Sequence, residues 1–99
     1  MPKVPATYIV TNRPNGTLYV GVSSALVQRV WQHRTGAFEG FARRYGLTRL
    51  VYFEAHATMR AAIQREKQLK RLSRADKIAL IQRDNPDWRD LWPLIAGGQ

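Results

Sequence analysis

The run YIVTNRPNGTLYVGV, Tyr8 to Val22, leaves little freedom of fold. Two short β-type segments flank a cluster of turn formers that includes Asn15-Gly16, a pair strongly favouring a hairpin. A hairpin here sets Tyr8 on one strand and Tyr19 on its neighbour. It also buries a glycine, Gly21, inside the return strand, where a residue without a side chain packs nothing. Ser23 and Ser24 follow as N-cap candidates. Leu26, Val27, Val30 and Trp31 then recur at helical spacing up to a stop at Gly36. Arg29 and His33, four residues apart, share one face of that helix.

Downstream, GAFEGFARRYGLT (36–48) has no clean period and reads as a loop with at most a short helical turn. Its aromatics and arginines suit a surface that touches nucleic acid, or else Phe38, Phe41 and Tyr45 plug the core. Arg49 to Glu54, RLVYFE, is a compact third strand. Thr58 caps a second helix running to about Leu72. Ser73, with Asp76 three residues on, opens a third that ends near Asp84, before Asn85-Pro86. The order β-β-α-β-α-α predicts an α+β fold: a small three-stranded, mostly antiparallel sheet flanked by helices. We read one domain over 1–99 with a core of about 7–82. The tail, 83–99, either packs back through Trp88, Leu91 and Trp92 or docks a protein partner through Trp88 and Trp92.

Charge narrows the partner. Sixteen Lys and Arg against seven Asp and Glu give a net charge of +9 on 99 residues, the footprint expected for a polyanion partner. A chain 44% hydrophobic has the material for a globular core, and with no cysteine it has neither disulfides nor thiolate metal sites. No apolar run approaches the roughly 20 residues of a membrane span, and MPKVPATYIV lacks the charged-then-apolar layout of a signal peptide. The expectation is a cytoplasmic protein that meets nucleic acid and no membrane.

One carboxylate is out of place. On the second helix Met59, Ala62, Ile63 and Leu69 form the apolar stripe, and at about 100° per residue Glu66 falls inside it. A glutamate facing a core is costly unless paired, neutralised or metal-bound. Either it pairs with a base such as Lys70, or it faces a polar hole that takes a divalent cation or a substrate.

In this order, the residues resemble the GIY-YIG nuclease family over roughly Thr7 to Ile81, and especially its small stand-alone members related to the nuclease domain of excinuclease C. The first motif stands here as Ala6-Thr7-Tyr8, keeping only its tyrosine, and the second as Tyr19-Val20-Gly21. Arg29 follows ten residues after Tyr19, His33 four later, and Glu66 lies on the next predicted helix. Two positions depart from the family pattern. Val22 stands where many relatives carry a basic residue, and the nearest candidate for a downstream asparagine, Asn85, lies beyond the third helix.

The resemblance implies metal-dependent phosphodiester cleavage by a one-metal scheme; DNA is the expected substrate, with DNA versus RNA left open by the sequence. Glu66 would hold one Mg²⁺ or Mn²⁺, and Arg29 would clamp the scissile phosphate through its planar fork. Tyr8 would serve as general base or relay, with Tyr19 and His33 orienting water and phosphate; each of these three is a candidate base. Gly21 would let phosphate or water approach beside Tyr19. Arg43, Arg44, Arg60, Arg65, Lys70 and Arg71 would bind the backbone without reading sequence. The alternative is a nucleic-acid-binding module that keeps the fold without efficient chemistry, a reading motivated by the reduced first motif and Val22.

Overall fold

A computed structural model describes residues 4–37 and 40–96. It contains β1 (Ala6–Thr11), β2 (Leu18–Ser23), α1 (Leu26–Thr35), α2 (Phe41–Arg44), β3 (Arg49–Ala55), α3 (Met59–Arg71), α4 (Arg74–Asp84) and α5 (Trp92–Ala96). The expected order is present, with a one-turn α2 and a short α5 added. The strands form one antiparallel sheet in the order β2-β1-β3.

The hairpin forms for local reasons. Asn15 takes a left-handed φ of 57°, Gly16 N donates to Arg13 O at 2.9 Å, and Asn12 Oδ1 accepts from Thr17 N at 3.1 Å. A Cβ on Gly16 would lie 2.0 Å from Asn12 Oδ1, so only glycine fits. Arg74 then ties the turn to α4, its Nη2 donating to Asn15 O (2.7 Å) and Gly16 O (2.8 Å).

Helices cover both faces of the sheet. Ile9, Val20 and Val51 pack with Leu69 of α3 and Ile81 of α4; Tyr8, Val10 and Leu50 pack on the other face with Val30 of α1. A register shift between Ile9 and Val10 lets Leu50 and Phe53, three apart, join one face of this alternating ladder. Thr58 and Ser73 cap α3 and α4, accepting from Ala61 N and Asp76 N. The serines before α1 do not cap it. The cap position is Ala25, and Ser23 Oγ instead accepts from Ala25 N in a turn one step before the helix.

The tail is stitched to β3. Asn85 Nδ2 donates to Val51 O and Arg89 O while its Oδ1 accepts from Arg89 N, which commits the whole amide to holding the tail. Leu91 N donates to Leu50 O at 2.7 Å, and Asp90 accepts from Leu50 N and Trp92 N and pairs with Arg34 of α1. Trp88 is buried in the α3/α4 core, and Trp92 packs on the other face under the Arg34 guanidinium. Trp88 therefore offers no surface to a partner.

Candidate active site at the β2 edge

The site is built around Tyr8, on the central strand. Tyr8 sits directly across from Gly21, and its ring runs outward over that glycine toward the sheet edge that β2 forms. A Cβ on Gly21 would lie 2.4 Å from both Cζ and Oη of Tyr8. The glycine in the strand thus makes room for a phenol, and the approach expected there for phosphate or water is filled by Tyr8 itself.

The phenol end of Tyr8 meets α1. Tyr8 Oη lies 2.9 Å from His33 Nε2, and the two rings meet edge to face. Tyr19, on the same face of β2, brings its ring to 5.7 Å from the His33 ring. Arg29, one helical turn before His33, acts electrostatically on both Tyr8 and His33. These four residues share one face of the sheet.

Glu66 comes from the opposite face. It lies on α3 between Ala62 and Leu69, both wholly buried, while Ile63, expected in the same stripe, is 38% exposed, so the buried face is narrower than the sequence stripe. Its side chain is 16% exposed and its carboxylate pairs with Lys70 at 3.0 Å. α3 lies along β1 and β2, on the face of the sheet opposite α1, and the Glu66 charge adds to the forces that raise the Tyr8 phenol. Among the causes acting on Tyr8 it is the smallest.

Burial, the Tyr19 phenol and the Glu66 carboxylate push the Tyr8 phenol above its ordinary range, against the pull of Arg29. Burial and the Arg29 charge push His33 down to about 4, so its ring is neutral at pH 7. The Tyr8–His33 contact serves two proton arrangements, phenol donating to a bare Nε2 or Nε2–H donating to the phenol oxygen. The first gives the phenol proton somewhere to go.

The depressed His33 value makes folding sensitive to acid. An unfolded histidine, near 6.5, binds a proton where the folded one does not. Stability from this source is complete above about pH 6.5 and is lost as the pH falls through about 4, a difference on the order of 3 kcal/mol. We expect the melting temperature of the native protein to drop more steeply over this window than that of His33→Gln.

An aromatic path leads out of the site. Phe41 stacks on Tyr19 at 28° between ring planes and 6.4 Å between centroids, and Tyr45 follows Phe41 at 4.7 Å. Phe41 and Tyr45 are 48% and 46% exposed, so neither plugs the core; Phe38 lies outside the described residues. Arg43 and Arg44 are exposed on the same turn, and the Arg44 guanidinium is 6.0 Å from the Tyr45 ring centroid. The sequence shows these residue types but not their alignment, because α2 is too short to carry a period.

The other expected backbone contacts divide. Arg60 and Arg71 are exposed on α3, Lys70 is engaged by Glu66, and Arg65 Nε is held by Glu54 at 3.0 Å. Asn85 is spent on the tail. Among the described residues no group of three or more His, Cys, Asp or Glu gathers. At the site, Glu66 offers a metal a part-buried carboxylate whose partner, Lys70, is half-exposed and able to swing away. That donor set fits a hard divalent cation that keeps most of its waters.

Comparison with known proteins agrees with this architecture. Residues 4–79 match the family model described as the GIY-YIG catalytic domain. A UPF0213 protein of Clostridium perfringens is 37% identical over 65 residues, covering 66% of this chain and 70% of that protein. A UPF0213 protein of Streptococcus agalactiae is 32% identical over 82 residues, 83% of this chain and 93% of the relative. The solution NMR structure of a UPF0213 protein from Bacillus halodurans superposes with a TM-score of 0.56 at 25% identity, covering 92% of this chain and 96% of that one.

Proposed function

The chain belongs to the GIY-YIG family of nuclease domains, and on that premise we propose that it is a metal-dependent endonuclease hydrolysing phosphodiester bonds of DNA. One observation carries the reading: Tyr8 Oη lies 2.9 Å from His33 Nε2, the Tyr19 ring packs against the same imidazole, and Arg29 stands one turn before it on α1.

Mg²⁺ or Mn²⁺ at Glu66 would neutralise charge on the phosphoryl oxygens and make a coordinated water more acidic. Arg29 clamps the scissile phosphate. Tyr8 passes its proton to His33 Nε2 and takes one from the attacking water, while Tyr19 orients the phosphate beside it. One feature makes the relay respond to substrate. His33 is a weak base through burial first and the Arg29 charge second, and a phosphate on Arg29 cancels the second of these. His33 therefore gains basicity when the reaction needs it. The leaving oxygen takes a proton from solvent as the P–O bond breaks.

The exposed pair Phe41 and Tyr45, with Arg43 and Arg44, favours an unpaired strand as the substrate. Every base has a π face, and stacking on an aromatic side chain contributes about 1–3 kcal/mol per base. The test is incubation with Mg²⁺ or Mn²⁺ of single-stranded, flapped and duplex DNA, with RNA alongside. The expected result is chelator-sensitive internal cleavage, fastest on the unpaired strand, with that preference reduced about tenfold or more in Phe41→Ala/Tyr45→Ala. Salt-dependent binding with no product on any substrate would instead support the binding module.

A further inference from the structure

Glu54, near the end of β3, is the centre of a polar cluster that the proposed chemistry does not use. Its carboxylate accepts from Tyr52 Oη at 2.5 Å and from Arg65 Nε at 3.0 Å, and lies 3.1 Å from His56 Nε2. The His56 Nε2 is also 3.2 Å from Thr7 Oγ1, and that hydroxyl donates to Ala62 O at 2.9 Å in a buried bond. Two links thus cross from the sheet to α3: Glu54 to the Arg65 side chain, and Thr7 to the Ala62 carbonyl. Two contacts one turn apart on a helix set both its rotation about its axis and its height over the sheet.

Glu66 immediately follows Arg65, wedged in the stripe between Ala62 and Leu69. A small rotation of α3 would re-aim its carboxylate. We propose that Glu54 is a positioning residue for Glu66: by holding Arg65 it fixes the seating of α3 and aims the Glu66 carboxylate toward a divalent cation. This rests on the reading of Glu66 as the metal ligand. It also gives Arg65 a role other than contact with nucleic acid.

The experiment is titration of the full chain with Mn²⁺ alone, followed by electron paramagnetic resonance without nucleic acid, for the native protein, Glu66→Gln, Glu54→Gln, Arg65→Met and Tyr52→Phe. Glu66→Gln should lose the site. Glu54→Gln and Arg65→Met should each weaken Mn²⁺ binding about tenfold or more, the scale on which outer partners of a ligand act. Charge alone predicts opposite signs for these two, because removing Glu54 deletes an attraction for the cation and removing Arg65 deletes a repulsion. Loss in both is therefore the signature of positioning. Tyr52→Phe, which removes a donor to Glu54 but leaves Arg65 in place, should lower the melting temperature and keep Mn²⁺ affinity within about twofold of native. Native or tighter binding by Arg65→Met, with the site lost in Glu66→Gln, overturns the positioning role. Native binding by Glu66→Gln overturns the ligand assignment instead.

Discussion

Tyr8→Phe is expected to lower the single-turnover cleavage rate by about 10²–10⁴, the range for loss of a positioned proton-transfer group, with little change in substrate affinity. The substitution is close to a pure deletion of the hydroxyl. A phenyl ring still fills the space over Gly21 and still meets the His33 ring edge to face, so the packing of β1 on β2 and α1 is kept. What is lost is the 2.9 Å contact with His33 Nε2 and with it the route for the proton. Stability should fall by about 1–3 kcal/mol, because His33 is only 6% exposed and one ring nitrogen loses its partner. The comparison variant is Tyr19→Phe. Its ring contacts with His33 and Phe41 survive, and its rate loss should be smaller. A larger loss in Tyr19→Phe than in Tyr8→Phe would move the base to Tyr19.

Glu66→Gln is the second large effect, a rate loss of about 10³ or more that added Mn²⁺ does not restore. Its consequences for binding and for folding run the other way. Removing a negative charge at the site should leave affinity for nucleic acid in a chelator unchanged or slightly tighter, measured by fluorescence anisotropy at low salt. The ion pair it deletes is with a half-exposed lysine four residues on, worth only about 0.3–0.5 kcal/mol, so the melting temperature should barely move. A variant that binds, folds and does not cut separates the chemistry of Glu66 from its packing.

How much of this was legible in the sequence depends on the range of the forces involved. The hairpin was legible because Asn15-Gly16 and the Asn12 side chain act within six residues. Glu66 was legible because an apolar stripe is a local period, and its misfit shows without any tertiary knowledge. The role of Gly21 was not. Its conformation is ordinary, and what requires a glycine there is a ring from a strand that pairs with it across the sheet. The Ser23 and Ser24 capping expectation failed by one residue, since Ser23 folds onto Ala25 N before the helix begins. Phe41 and Tyr45 were ambiguous between core and surface, because a four-residue helix has no period to distinguish its faces. The Glu54 cluster was invisible for a different reason: it joins β1, β3 and α3, and Thr7 bonds to a carbonyl 55 residues away. Asn85, the nearest match to the downstream asparagine of the family pattern, is explained by the tail's need for a buried amide.

On the proposed reading, the β2 edge is a one-metal hydrolytic site with Glu66 on the metal. Its most direct test is single-turnover cleavage of an end-labelled single-stranded oligonucleotide in Mn²⁺ by the native protein and Glu66→Gln, purified side by side. Product should appear only with metal, and the variant should form it more slowly by about 10³-fold or more. Equal rates from the two preparations would contradict that reading.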